Sequence, residues 1–262
     1  MMNRRFAVEL ADGLRIEAVW YPSGTLCLST QAGCALGCPF CASGRKGLRR
    51  NLHPEELWQQ IEQVRQAGCA IERLTLSGIG EPLHNFETVA RFIHGSTYPV
   101  SLTTTGQPLN KLREVLRWPH NGLMLSLHAG CSATHRRLVP KGPDFRDLWA
   151  LLDAELPRLS RRARRRIGIN YLLLAGENDS ESELDRLAAR LELHPDLTLH
   201  LLVCNPVPGS PCQSPPQAAI DRIHERLRAR GLSVRRANRW RRRLDGGCGT
   251  LVLGEKSFFH KR

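Results

Sequence analysis

Six short apolar runs, each followed by a longer amphipathic stretch, constrain this chain more than any other feature. The runs are Thr25–Thr30, Arg73–Ser77, Val100–Thr104, Leu123–Leu127, Ile167–Leu174 and Thr198–Val203. Their length and flanking turn residues read as buried strands. Helical periodicity follows over Pro54–Ala67, Phe86–His94, Leu109–Leu116, Phe145–Leu159, Glu181–Leu193 and Pro216–Arg230. Pro54 suits a first helical turn, and Gly68, Gly106 and Gly231 fall where helices end or strands begin. An alternation repeated six times requires parallel strands joined by right-handed crossovers, so the fold class is α/β. The 262 residues read as one domain over 1–262. Residues 1–24 form a short N-terminal extension and 235–262 a C-terminal segment. Asn205–Pro216, rich in Pro and Ser, reads as a long loop within the domain.

In a parallel α/β barrel, chemistry gathers at the C-terminal ends of the strands. Cys34–Cys41 follows the first run, Gly78–Glu81 the second and Thr103–Gly106 the third. Ser126–His128 follows the fourth and Asn205 the sixth, which predicts one convergent site. The charge balance adds a partner class. Lys and Arg number 38 against 25 acidic residues, a net charge of +13. One arginine group is Arg158, Arg161, Arg162, Arg164, Arg165 and Arg166; it suits a solvated face and phosphate contact equally well. The other is Arg235, Arg236, Arg239, Arg241, Arg242 and Arg243 around Trp240. Guanidinium forks match phosphates and an aromatic can stack on a base, so this group reads as a nucleic-acid contact. No apolar run approaches the ~18 residues that span a bilayer. Met1–Phe6 has no apolar signal core, so a cytoplasmic location without membrane contact is expected.

Nine cysteines without a secretion signal point to metal or redox chemistry rather than a disulfide framework. Cys34, Cys38 and Cys41 form C-x3-C-x2-C within GCALGCPFCASG. Zinc is the competing reading, but structural zinc prefers four protein ligands and no close fourth Cys or His follows. Three thiolates on a four-iron four-sulfur cluster leave one iron open. The triplet, with Phe40 beside Cys41, resembles the cluster loop of the radical S-adenosylmethionine (SAM) superfamily. In that superfamily the open iron chelates SAM, and one electron cleaves the C–S bond. Cys69, Cys131 and Cys212 have no partner spacing and read as small buried hydrophobes, with Cys204 structural.

Beyond the triplet, the chain resembles the radical SAM RNA adenosine methyltransferases, which act on C2 or C8 of adenosine in ribosomal and transfer RNA. The resemblance runs from about Glu17 to Leu253. It is carried in order by TLCLSTQAGCALGCPFC, GIGEPLHN, LTTTG, SLHA, NPVPG and CGTL. It implies a partial (β/α)6 TIM-like barrel, the radical SAM core. It also implies a [4Fe-4S] cluster on Cys34, Cys38 and Cys41, and two SAM molecules per turnover. Gly80 and Glu81 would contact the SAM amine, with Thr103, Ser126, Leu127, His128 and Asn205 lining the rest of that site. Flavodoxin or ferredoxin would supply electrons, RNA (rRNA, tRNA or both) would be the substrate, and the protein would be a monomer.

The resemblance further implies catalytic roles for Cys248, Cys27 and Glu17. An sp2 adenine carbon is electrophilic, so the methyl group of SAM cannot reach it by simple displacement. One SAM methylates Cys248, and a 5′-deoxyadenosyl radical from a second removes a hydrogen from that methyl. The methylene radical adds to the adenine carbon, Glu17 accepts the proton from that carbon, and Cys27 attacks Cys248 to release methyladenosine and leave a disulfide. Glycines on both sides of Cys248 suit an accessible thiol.

Members of the family usually carry a domain before the barrel, and here the matching segment begins near Glu17. The family's short acidic loop before the catalytic cysteine is replaced by RRANRWRRRLDGGC, and the Pro22–Thr25 linker is shorter. The arginine-rich loop could take over part of that domain's hold on phosphates. Two alternatives stand beside RNA methylation. One is the same cysteine machinery acting on another nucleotide, a peptide or a heteroaromatic metabolite. The other is an iron–sulfur or zinc-binding RNA module, which would need neither Cys27, Cys248 nor the Gly80–Glu81 pair.

Overall fold

The computed structural model describes residues 2–236, 239–243, 245–247 and 249–252. The chain opens with β1 (Arg4–Glu9) and β2 (Arg15–Tyr21), then β3 (Thr25–Leu28) and the small hairpin β4 (Gln31–Gly33) and β5 (Leu48–Asn51). Next come α1 (Pro54–Gln66), β6 (Arg73–Leu76), α2 (Phe86–Gly95), β7 (Val100–Thr104), α3 (Leu109–Val115) and β8 (Gly122–Ser126). They are followed by α4 (Ser132–Leu138), α5 (Phe145–Glu155), α6 (Arg161–Arg164), β9 (Ile167–Leu173) and α7 (Glu181–Glu192). The described elements end with β10 (Thr198–Val203), α8 (Gln217–Ala229) and β11 (Val234–Arg236).

One nine-stranded sheet runs β1-β2-β3-β6-β7-β8-β9-β10-β11. From β3 to β11 every pairing is parallel, and among the described residues the two edge strands do not pair with each other. This is the α/β architecture that the six-fold alternation predicts, in the partial-barrel form that the resemblance implies. All six expected strands are present, and the six expected helices begin and end close to their expected bounds. Helix α5 stops at Glu155, where Pro157 turns the chain into a 3-10 segment, Leu156–Arg158. The residues read as a short N-terminal extension instead supply β1 and β2, which pair antiparallel along their whole length. Burial along β1 alternates toward its end, as suits an edge strand with one covered face, and β2 carries Glu17 within it, so neither reads as one of the apolar runs.

Residues paired across neighbouring strands share a face. Leu26, Leu74 and Val100 form one row, and Leu125, Ile169 and Leu199 another. Both rows are buried on the outer, helix-covered face. The inner face is polar. Val19, Cys27, Thr75, Ser101 and Gly122 make one row across it, and Ser126, Asn170, His200 and Arg235 another. Barrel interiors are usually filled by branched apolar side chains; this one is lined for polar contents.

The first arginine group lies between α5 and the start of β9, hence at the end of the barrel opposite the strand C-termini. Arg158 pairs with Glu155 (3.5 Å), while Arg161 and Arg164 pair with Asp196 (3.3 and 2.8 Å). Topology therefore assigns this group to a far face, away from the residues gathered in the next subsection.

Candidate active site

The cluster loop leaves the hairpin at Gly33, whose φ of +86° and close approach to Gly47 exclude a side chain: a Cβ would lie 2.0 Å from the Gly47 carbonyl oxygen. The Cys34 N–H then donates to that carbonyl (3.2 Å), and Cys41 N–H donates to the Cys38 carbonyl (3.1 Å). Cys34, Cys38 and Cys41 line one cavity. Among the described residues no three His, Cys, Asp or Glu side chains crowd closely enough to share a single ion. The three thiols surround a space instead of meeting at a point. Burial pushes the Cys34 thiol up to about 11, and burial together with Cys41 and Cys34 pushes Cys38 well above its ordinary value. Cys34 and Cys38, whose ionisation burial and the neighbouring sulfurs disfavour, suit a cationic metal group, which would hold them with Cys41 as thiolates.

Gly78–Asn85 leaves β6 and turns under the cavity. The Glu81 carboxylate is buried and accepts from Leu83 N–H (3.1 Å), Thr105 N–H (2.8 Å), the Thr105 hydroxyl (2.9 Å) and the Thr104 hydroxyl. Burial raises its pKa, against those four donors. The Gln31 side chain fixes the loop from the other side by accepting from Glu81 N–H (2.8 Å) and donating to Asn51 (2.7 Å).

His128 closes the far wall. It alone among the described non-glycine residues has positive φ, at 56°. Its Nδ1 accepts from Leu172 N–H (3.0 Å), and its ring meets Phe40 edge-on at 5.1 Å. Burial drops its pKa to about 3, so it is neutral at physiological pH. Asn178 holds this corner. Its amide donates to the His128 and Leu172 carbonyls (2.8 and 2.7 Å), and its oxygen accepts from Leu174 N–H (2.8 Å). Asn178→Ala is expected to destabilise the protein by about 3 kcal/mol, because three buried backbone groups lose their partner. A lowered denaturant midpoint with an unchanged m-value checks this.

Gly80, Glu81, Thr103, Ser126, His128 and Asn205 all line the cavity with the cluster cysteines. Leu127 does not: its side chain is fully buried in the core and its carbonyl is bonded to His135 Nδ1 (3.0 Å). Ser77, Asn170, Leu172 and Leu202 also line it, although no motif marks them as site residues, and Arg241 of the second arginine group reaches it as well. Asn170 leaves a signal in the sequence, a lone amide inside the apolar run IGINYLLL. Ser77 lies two residues beyond the inward-facing Thr75, so strand alternation turns it inward as well.

Cys27 faces the interior from β3, and its Sγ lies 3.3 Å from Ser77 Oγ. Cys248 lies outside the described residues, but the chain on either side of it is held tightly. Tyr21 Oη donates to the Gly246 carbonyl (3.1 Å), and Gly246 packs against Val19, the β2 partner of Cys27. Gly249 lines the cavity and accepts from Ala42 N–H (2.8 Å). Arg5 donates to the Thr250 carbonyl (2.7 Å), and Ser43 Oγ donates to the Leu251 carbonyl (2.8 Å). The Glu17 carboxylate pairs with Arg5 (3.0 Å) and accepts from Val252 N–H (2.7 Å). Burial raises its pKa although Arg5 opposes the shift. Glu17 is not among the residues lining the cavity.

The basic loop is partly engaged in local contacts. Arg236 pairs with Asp221 (2.6 Å), Arg242 donates to Gln217 (3.0 Å), and Arg243 pairs with Asp245 (3.3 Å). Among the remaining cysteines Cys69 and Cys204 are buried, whereas Cys131 and Cys212 are only half-buried. Cys204 also lines the cavity.

Comparison with known proteins agrees with this arrangement. Residues 28–188 match the Radical SAM superfamily. A dual-specificity RNA methyltransferase RlmN from Halorhodospira halophila is 35% identical over 95% of this chain and 73% of its own length. A probable RNA methyltransferase from Pseudomonas aeruginosa is 33% identical over 95% of this chain and 73% of its own. The crystal structure of a radical SAM methyltransferase from Sphaerobacter thermophilus superposes with a TM-score of 0.81 at 30% identity, covering 95% of this chain and 77% of that one. Streptococcus suis SuiB bound to S-adenosylmethionine shares the fold at a TM-score of 0.62 and 15% identity, over 81% of this chain and 50% of its own.

Proposed function

The chain belongs to the radical SAM superfamily and, within it, to the RNA methyltransferases; we propose that it methylates C2 or C8 of an adenosine in RNA. One observation carries this reading. Three groups far apart in sequence, namely the cluster cysteines, the Gly80–Glu81, Thr103, Ser126, His128 and Asn205 set, and Gly249 next to Cys248, line a single cavity.

The enzyme is a SAM-dependent radical methyltransferase with a [4Fe-4S] cluster. Bound together, cluster and SAM supply a 5′-deoxyadenosyl radical. Cys34, Cys38 and Cys41 would hold the cluster beside the edge-on contact of Phe40 with His128. Gly80 and Glu81 would receive the SAM amine, with Thr103, Ser126, His128 and Asn205 beside them and the Leu127 backbone in support. The role assigned to Cys248 is to carry the methyl group as a thioether and to join the adenine carbon through it. Cys27 would then attack the Cys248 sulfur, forming a disulfide and freeing the product. Two contacts support that pairing: Gly246 packs on Val19, and Val19 is the strand partner of Cys27. Glu17 is the proposed proton acceptor. Its raised pKa favours taking a proton, and its bonds to Arg5 and Val252 tie that step to the segment that follows Cys248.

An electron donor such as flavodoxin or ferredoxin, a monomeric state and a cytoplasmic location complete the proposal. Among the described residues no helix is long and apolar enough to cross a membrane. Anaerobic reconstitution with methyl-labelled SAM tests the reading: label is expected first on Cys248 and then in methyladenosine from RNA digests. Label that stays on the cysteine and never enters RNA would reject the substrate, and an unlabelled Cys248 would reject the mechanism.

A further inference from the structure

The proposed reaction ends on a disulfide between Cys27 and Cys248, which must be reduced before Cys248 can accept another methyl group. Cys27 is only 2% exposed and faces the barrel interior, where a protein reductant has no access. Resetting the site therefore needs one thiol on the cavity wall and a second that meets solvent. Among the described cysteines outside the cluster triplet, Cys204 alone lines the active cavity. It precedes Asn205, whose amide presses on Gly247: a Cβ on that glycine would lie 2.4 Å from Asn205 Nδ2. Each partner in this contact is the chain neighbour of a cysteine, Cys204 on one side and Cys248 on the other.

A loop closed on itself brings Cys212 beside Cys204. The Cys204 N–H donates to Ser214 Oγ (2.7 Å), which donates back to the Cys204 carbonyl (3.3 Å). The Cys212 N–H donates to Ser210 Oγ (3.2 Å), and that hydroxyl donates to the Pro39 carbonyl of the cluster loop (2.8 Å). Cys204 Sγ lies 3.9 Å from the Cys212 carbonyl oxygen, and both side chains pack in one apolar group with Leu172 and Leu174. Burial and then the nearby Cys212 push the Cys204 thiol up to about 11. Cys204 is buried and Cys212 half-buried, so the pair leads from the cavity outward. We propose that Cys204 and Cys212 form a thiol relay that reduces the Cys27–Cys248 disulfide and carries its oxidation to the surface. The proposal rests on the methyl-cysteine reading above and adds the step that resets it. The Cys204 thiolate bonds to the Cys248 sulfur and the Cys27 thiolate leaves. The Cys212 thiolate then bonds to the Cys204 sulfur and the Cys248 thiolate leaves. Two electrons thus pass from one cysteine pair to the other, and the protons given up by Cys204 and Cys212 are balanced by those that Cys27 and Cys248 take up. A protein dithiol from outside reduces the Cys204–Cys212 disulfide and becomes a disulfide itself.

The test follows methyladenosine formation by the anaerobically reconstituted holoenzyme on an adenosine-containing oligoribonucleotide. Reduced flavodoxin serves the cluster, and a thioredoxin-type protein dithiol is the sole thiol reductant. Wild-type protein is expected to turn over repeatedly. Cys204→Ser and Cys212→Ser are each expected to complete a single turnover and then stall, at least about 10-fold below the wild-type steady-state rate. Dithiothreitol, small enough to enter the cavity, should restore both variants, which damage to the fold would not allow. After acid quenching and alkylation, peptide mapping should find the Cys27–Cys248 disulfide in stalled Cys204→Ser protein. Wild-type protein starved of reductant should carry a Cys204–Cys212 disulfide instead. Cluster absorbance reports whether each variant is folded. Folded variants that keep the wild-type rate on the protein dithiol, or a loss that dithiothreitol does not restore, would overturn the relay and leave RNA methylation intact. Wild-type protein that labels Cys248 but forms no methyladenosine would reject the RNA reading, and with it the disulfide that the relay reduces.

Discussion

Cys248→Ala protein is expected to keep its cluster and its SAM binding yet pass no methyl label to RNA, a loss of activity to background. Cys27→Ala protein is expected to fail later and differently. It should take up the methyl on Cys248 and join its RNA, but it has no second thiol to cleave the adduct, so a protein–RNA conjugate should accumulate. Denaturing gel electrophoresis of labelled RNA separates the two outcomes: free, unmodified RNA for the first variant and a retarded covalent species for the second. The contrast follows from the separate roles proposed for the two cysteines. Cys27 is inside the barrel on β3, its sulfur 3.3 Å from the Ser77 hydroxyl, and Gly246, near Cys248 in sequence, packs on Val19, the strand partner of Cys27. Release of unmodified RNA by Cys27→Ala, with no conjugate, would remove that cysteine from the mechanism.

Glu81→Ala is expected to have the largest effect on the fold of any substitution in the site. The carboxylate is only 1% exposed and accepts four hydrogen bonds, two of them from the backbone of Leu83 and Thr105. Removing it strands both N–H groups and leaves a hole, at a cost of about 3–5 kcal/mol. Glu81→Gln should recover only part of this, because both carboxylate oxygens face donors and an amide offers a single acceptor. Denaturant unfolding measures the stability, and equilibrium dialysis with labelled SAM measures the second consequence, loss of cofactor binding. Full stability in Glu81→Ala would mean that water replaces the carboxylate at no penalty, and that the loop geometry does not depend on it.

Much of the site is legible in the amino-acid sequence because its ligands are local. Cys34, Cys38 and Cys41 sit within eight residues, so their spacing alone defines a shared site. Gly80–Glu81 and Ser126–His128 stand at strand ends, where a parallel barrel concentrates its chemistry. The six strand–helix units are legible for a related reason: each repeats a period that one segment carries by itself. Residues that act through distant partners are harder to read. Gln31 and Asn178 are ordinary amides in sequence, and only folding sets one against the Glu81 loop and the other between His128 and Leu172. The N-terminal strands escape a reading by apolar runs because charged residues interrupt them, Arg4, Arg5 and Glu9 in β1 and Arg15 and Glu17 in β2.

The sequence by itself determined the alternating α/β architecture, the three-cysteine loop and the set of strand-end residues around it, because each depends on short-range spacing. Only the tertiary structure decided what the arginines do. Two clusters that look alike in sequence part company: Arg158–Arg166 falls at the far end of the barrel, where Arg158, Arg161 and Arg164 pair with Glu155 and Asp196, while Arg235 and Arg241 line the interior beneath the site. Alternation made that difference. Along β11 it turns Arg235 to the inner face, whereas Arg158, Arg161 and Arg164 leave helical turns outside the sheet, so the same residue type lines the interior in one cluster and makes surface ion pairs in the other.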